Sequence, residues 1–343
     1  MYSVCGLLMR LRELYYSENG FRPWQKVDNS SISQWIGRKE ALWSEIAEEP
    51  FVRIEAADAG FDPFDSAGIN KVLAGHGLVY AAGHGPHQRA SFLLAGTVER
   101  EKLDGLDVYI CGREYARDLS APAAMLMGDA VFARLEANEN LIWQKFEEYR
   151  AKTRTSGLLR AAFSYYGIGP ESAALMGPAE TGPAITETVS AVSREELRTY
   201  IMHELGEAAE RKRLGPAWPE MLAGAENARQ AMFLRALKDV LADTCPEGML
   251  RHIIGKRKTG SLAFYAAFLT GYRKPLSARI ENAIGLFFGR DGRRQDFFAW
   301  VEVEKAVEET YEEAKAIVSR ILEMHASGAM PSQFIEDLMK KLL

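Results

Sequence analysis

The run "GLVYAAGHGPHQRASFLLAGTVEREKLDGLDVYICG", Gly77 to Gly112, decides the fold. Three short β-prone segments, "GLVYAAGHG", "ASFLLAGTV" and "LDVYICG", are separated by His84-Gly85-Pro86-His87 and by Lys102-Leu103-Asp104-Gly105. β-Branched and aromatic residues suit a half-buried pleated surface, and Gly-Pro and Asp-Gly pairs reverse a chain, so the pattern predicts an antiparallel meander. Just downstream, "DAVFARLE" predicts one more strand; just upstream, "DPFDSAGINKVLAG" predicts a helix lying on one face of the sheet. Nearer the start, Leu7, Leu8, Leu11 and Leu14 have helical spacing that Asn19-Gly20 ends. A second helix is expected in "DNSSISQWIGRKEALWSEIAEE", with Trp35, Ile36, Leu42, Trp43 and Ile46 as its apolar positions.

From Asn138 onward the period changes to 3.6, beginning with "NENLIWQKFEEYRAKT" and closing with "MPSQFIEDLMKKLL". Two stretches break it: "GIGPESAALMGPAETGPAITET", rich in Gly, Pro and Thr, reads as an irregular connection, and "FFGRDGRRQD" as a second interruption. No repeat of fixed period is present, which argues against a solenoid. The expectation is therefore an α+β chain of two domains: residues 1–137, a small antiparallel sheet with helices, and residues 138–343, an all-α helical bundle. A length of 343 residues agrees, since single cores stop growing at about 250 to 300.

Forty-seven acidic against 42 basic residues give a net charge of -5, which excludes nucleic acid as an expected partner. The three cysteines, Cys5, Cys111 and Cys245, are far apart, with no Cys-x-x-Cys pair for zinc or thiol exchange. A reducing cytoplasm is expected. No apolar run has membrane-spanning length, and "MYSVCGLLMRLRELYYSENG" carries charges where a signal peptide needs its apolar segment.

The chemistry centres on "YIMHELGEAAERKRLG", Tyr200 to Gly215. It departs from the H-E-x-x-H helix of zinc peptidases by one residue, Glu207 standing where the second histidine belongs. Residues four apart share a helix face, so His203 and Glu207 can address one ion, and Glu210 continues the row. A partner helix is offered by "AENARQAMFLRALKDVLADT", where Asp239 and Asp243 are four apart and Glu226 lies at the start. Aspartates inside a helix compete for backbone hydrogen bonds and need compensation, which a metal, Lys238 or Arg235 could supply. The candidate metal set is thus His203, Glu207, Asp239 and Asp243, with Glu226 or Glu210 as further ligands. One imidazole among carboxylates suits Fe, Mn or Mg better than Zn. Against this stands a bland alternative: Ile201, Leu205 and Ala208 form the apolar stripe, and His203, Glu207, Glu210 and Glu196 form a solvated or ion-paired face. The protein is then a non-catalytic interaction protein. The two acidic helices also have the layout of all-α nucleotide pyrophosphohydrolases, which hold Mg against a triphosphate. That family's second motif wants a glutamate where Ala236 stands.

His76, His84 and His87 surround the first turn, where exposure is the expected state. "CGREYARD" supplies Arg113, Glu114, Arg117 and Asp118 for an ion-pair network or an oxyanion corner, with the network favoured. "RHIIGKRKTG" reads as a charged loop and "FYAAFLTGYRK" as core. No P-loop, G-x-G-x-x-G or G-x-S-x-G occurs. A small-molecule ligand or a protein partner remains open, as does the oligomeric state.

Several stretches together, "MYSVCGLLMRLRELYY", "DPFD" with "INKVLAGHGLVYAAG", "GREYARDLSAP", "HELGEA" and "LKDVLADT", resemble an uncharacterised two-domain bacterial family common among anaerobes. The resemblance implies a mixed N-terminal and a helical C-terminal domain and carries no assigned activity.

Overall fold

A computed structural model describes residues 4–56, 58–84, 90–151, 157–169, 182–289, 297–329 and 331–342. Contacts divide the chain into two compact units, residues 1–144 with 181–197, and residues 145–180 with 198–343. Two continuous helices, α4 (Leu135–Ala151) and α6 (Pro183–Leu214), each run through a division, so their ends count toward different units.

In the first unit, α1 (Val4–Asn19) stops at Gly20, whose φ of 70° is the left-handed conformation favoured after a helix. Helix α2 (Asn29–Ile46) buries Trp35, whose indole donates to Glu18, but leaves Leu42 and Ile46 about half exposed, so its expected apolar face is only partly covered. A two-stranded ribbon, β1 (Ile54–Ala56) with β2 (Ala59–Phe61), precedes the helix α3 (Ser66–Leu73), which Asp65 caps by accepting from the Gly68 N–H. The main sheet holds β3 (Leu78–His84), β4 (Ala90–Leu103), β5 (Leu106–Arg117), β6 (Ala124–Met127) and β7 (Ala130–Arg134) in the order β3-β4-β5-β7-β6. β3, β4 and β5 form the expected antiparallel meander, with Asp104 and Gly105 both at positive φ in a two-residue hairpin turn. The sheet as a whole is mixed. Residues 118–123 carry the chain past one strand position, and β7 then returns antiparallel to β6 into the gap, parallel to β5. Register shifts between Leu94 and Glu99 curl the sheet, and β3 and β6 approach one another.

Helix α3 packs on β3, the edge strand. Its Asn70 amide both donates to Tyr80 O and accepts from Tyr80 N, at 2.7 Å each, and Ser66 Oγ accepts from Ala82 N. These side chains stand in for a missing neighbour strand. Asn70→Ala is expected to leave both Tyr80 groups unpaired and cost about 1–3 kcal/mol, measured by urea unfolding. A loss under about 0.5 kcal/mol, the range of ordinary surface changes, would show that water replaces the amide freely.

The second unit is all-α. It begins in α4 and continues through α5 (Gly157–Tyr165), the C-terminal part of α6, α7 (Ala217–Ala223), α8 (Ala228–Thr244), α9 (Met249–Gly255), α10 (Thr259–Phe268), α11 (Arg273–Leu276), α12 (Ala278–Phe288), α13 (Phe297–Ala326) and α14 (Ser332–Leu342). The expected irregular connection is shorter than read: Pro183 to Thr188 already belong to α6, with Pro183 as its first residue, where a missing N–H costs nothing. The rest of that stretch from 170 to 181, and residues 290–296 of the second interruption, lie outside the described residues. Helix α8 is the hub, packed by α7, α9, α11, α13 and α14 around Phe233, Leu234, Leu237, Val240 and Leu241. Phe264 and Tyr265 of α10 are core, as read. No described helix is long and apolar enough to cross a membrane.

Candidate metal centre

The helical row that spells H-E-x-x-E is not solvated. Glu210 is 4% exposed, and the side chains of His203 and Glu207 are 14% and 17% exposed. That part of the bland reading is corrected: α8 covers the face, and it comes very close. An added Cβ on Gly206 would stand 2.2 Å from the Ala242 carbonyl oxygen and 3.1 Å from Cys245 Sγ. A glycine in the middle of α6 thus lets two backbones meet, which puts His203 and Glu207, on either side of it, against Asp239 and Asp243 of α8.

His203, Glu207 and Asp239 each offer one ligand atom, all within 4.8 Å of one another. An octahedral ion with bonds of about 2.1 Å needs roughly 3 Å between adjacent and 4.2 Å between opposite ligands, so the three atoms would have to draw closer to hold one. Asp243, wholly buried, lies behind the ring: its Oδ1 is 2.7 Å from His203 Nδ1, and its Oδ2 accepts from Arg273 Nη2 at 2.5 Å. An ionised carboxylate only accepts, so it fixes a proton on Nδ1, and Nε2, 3.3 Å from Glu207 Oε1, is the ring nitrogen that an ion would take in exchange for its proton. Lys238 donates to Glu207 and lies 3.6 Å from Asp239 Oδ1.

The other proposed ligands are elsewhere. Glu210 accepts from Arg213 at 2.5 Å and from the Tyr311 hydroxyl at 3.0 Å. Glu226 is exposed and accepts from Ser332, because α8 begins at Ala228 behind the Asn227 cap and Glu226 is outside it. Arg229, three residues on, donates to Tyr272. Sequence reading missed Arg273 and Gly206. Only the need of a buried Asp243 for a cation pointed toward the first, and only the cost of a mid-helix glycine toward the second.

Burial alone would favour a neutral His203, but Asp243 and Glu207 outweigh it and hold the imidazole well above its usual range. Glu207 is brought down to about 2, against its burial, by Lys238 and His203. Burial raises Asp239, with His203 and Lys238 only partly opposing it, whereas Arg273 and His203 keep the buried Asp243 low. A raised histidine stabilises the fold fully below its unfolded value of about 6.5 and loses that contribution as pH climbs through its folded value. In chelated protein, the unfolding midpoint of the wild type should therefore fall from about pH 6 to 9 more steeply than that of His203→Gln. Parallel curves would mean that folding does not favour the doubly protonated ring.

Elsewhere the histidines behave as expected: His76 and His84 are exposed, His84 stacks on Phe64 at 4.7 Å, and His87 lies outside the described residues. Of the "CGREYARD" charges, Glu114 and Arg117 join a buried network, whereas Arg113 is exposed. Glu114 accepts from Arg134 Nε at 2.7 Å and Nη2 at 2.6 Å and pairs with Arg117 at 3.1 Å. Its backbone N–H donates to Glu136, which also accepts from Ser17 and is raised by burial and by Glu114. Arg251 of the basic segment pairs with Glu308.

No curated protein and no solved structure matches the chain. Two models of a family of unknown function (DUF6866) do: its N-terminal domain over residues 1–134 and its C-terminal domain over residues 139–342. Together the two matches span nearly the whole chain, and it belongs to that two-domain family.

Proposed function

We propose that the helical domain binds a divalent cation through His203 Nε2, Glu207 and Asp239, and that the protein is a non-haem metal-dependent enzyme. The observation that carries this reading is the convergence of those three ligand atoms from two helices, with the ring oriented from behind by Asp243. Three ligands leave an octahedral ion positions for water and substrate, as hydrolytic or redox chemistry requires. One imidazole and two carboxylates favour Mn, Fe or Mg over Zn. The ion would supply Lewis acidity or electron transfer; the chain's own residues hold the ring tautomer and exclude bulk water. The partner we propose is a small molecule rather than nucleic acid, and the compartment a bacterial cytoplasm, consistent with buried unpaired thiols at Cys111 and Cys245. The pyrophosphohydrolase layout is set aside, because Ala236, where its glutamate belongs, is buried.

One observation favours a second reading. Lys238 and Arg273, with a protonated His203, give three cations against Glu207, Asp239 and Asp243, so the group is balanced without an ion and can serve as a clamp between helices. Titrating Mn(II) into full-length, chelator-stripped protein purified without a polyhistidine tag separates them. One equivalent is expected to bind, Glu207→Gln to weaken it at least about tenfold, and chelator to lower the melting temperature of the wild type. Absence of stoichiometric Mn(II) binding leaves the clamp.

A further inference from the structure

The sheet unit contains a cavity of about 930 Å³ within its curl, between α3 and β3 on one side and the β6–β7 turn on the other. It is within the size range of small-molecule sites. Its apolar wall is the open end of the sheet's core: Tyr109, Met127 and Ala130 pack on the buried cluster of Val79, Leu93, Cys111 and Phe132 yet remain only partly buried.

We infer that this cavity binds an aliphatic monocarboxylate. Three observations define that chemistry. The first concerns shape. Tyr109 is flanked by its cross-strand neighbours, Phe132 stacked at 5.4 Å and Arg100 5.2 Å from the ring centre, while the third lining ring, Phe64, stacks on His84. Both faces of Tyr109 and one face each of Phe132 and Phe64 are taken, so the wall offers mainly ring edges and the Met127 thioether, which suit a flexible chain better than a planar ring. The second concerns hydrogen bonding. Ser66 and Asn70 are engaged with the β3 backbone, and Asp65 caps α3, so the polar end of the cavity is committed to the fold. The third concerns charge. Two cationic and three acidic residues line the cavity: Arg100 is paired with Asp107 at 3.1 Å, Asp65 caps α3 and Asp129 lies in the β6–β7 turn, whereas Lys71 has no ionic partner among the described residues. Lys71 stands on the exposed side of α3, at the rim, where a carboxylate keeps part of its hydration and the chain reaches inward.

The test is calorimetric titration of the full chain with octanoate, below its micelle concentration, and with 1-octanol. Octanoate should bind saturably and more tightly than the alcohol. Lys71→Met, a change at an exposed helical position, should weaken octanoate about five- to tenfold and leave 1-octanol unchanged. Ala130→Phe should fill the cavity and abolish both; if that variant does not fold, the lysine variant decides alone. Equal affinity for acid and alcohol, no effect of Lys71→Met, or no saturable binding of octanoate would each overturn the inference. The site is independent of the metal centre, so either result stands whatever Mn(II) does.

Discussion

Replacing Glu114 by glutamine is expected to destabilise the protein by about 3–5 kcal/mol, the cost of breaking a buried ion pair by removing one partner. Arg134 is 1% exposed and Glu114 2%, and the guanidinium grips the carboxylate through two hydrogen bonds. With glutamine there, two arginines remain in a dry environment: Arg134, and Arg117, whose side chain is 3% exposed. Arg134→Met should cost less, because Glu114 keeps Arg117, and the double variant should cost less than the sum of the singles, because the orphaned Arg134 charge is gone and only that of Arg117 remains. Equilibrium unfolding in urea of the four proteins measures this directly. Strict additivity, or a single-variant cost under about 1 kcal/mol, would place the pair in the class of exposed bridges and contradict the burial.

The second large effect is expected at Asp243. Asparagine there can still accept from His203 Nδ1 but no longer balances His203 and Arg273, which meet that carboxylate at 2.7 and 2.5 Å. A loss of about 3–5 kcal/mol is expected by the same reasoning as for Glu114. Under the metal reading a second loss accompanies it, because the residue behind a ligating histidine sets ring orientation and basicity; Mn(II) affinity should drop about 10- to 100-fold. The two losses have separate readouts, unfolding in chelator and titration of the folded variant. If Asp243→Asn binds Mn(II) as the wild type does, the carboxylate is part of the clamp and not of the metal site.

Local chemistry made much of the fold legible. The Asp104-Gly105 turn dictates its own backbone conformation and fixes the register Leu103 to Leu106, so the meander could be read from the chain. The parallel pairing of β7 on β5 could not, because nothing in "DAVFARLE" tells which side of β6 it will occupy. Helical periodicity exposed α8 and its apolar stripe, but the same periodicity labelled the His203 face polar and hence solvated; a pattern along one helix cannot report that another covers it. That His203 and Glu207 share a face, and Asp239 and Asp243 another, could be read because i, i+4 spacing is geometric. Arg273 was not, since it reaches Asp243 from thirty residues away in sequence. Glu226 was misplaced by a helix start: Asn227 caps α8, and one residue before a cap is no longer on the helix surface.

Gly206 has a consequence outside this chain. A glycine inside a long helix costs about 1 kcal/mol relative to alanine, and a relative free of constraint at this position would gain stability by replacing it. Here even a methyl group would collide with the Ala242 carbonyl, so the replacement is barred for as long as α6 and α8 must stay close enough to bring their polar residues together. Position 206 is therefore expected to act as a spelling rule for the family. Members that keep the counterparts of His203, Glu207, Asp239 and Asp243 should keep glycine between the first two, and members that have lost the acidic residues are released to acquire a side chain. The two traits should be inherited together.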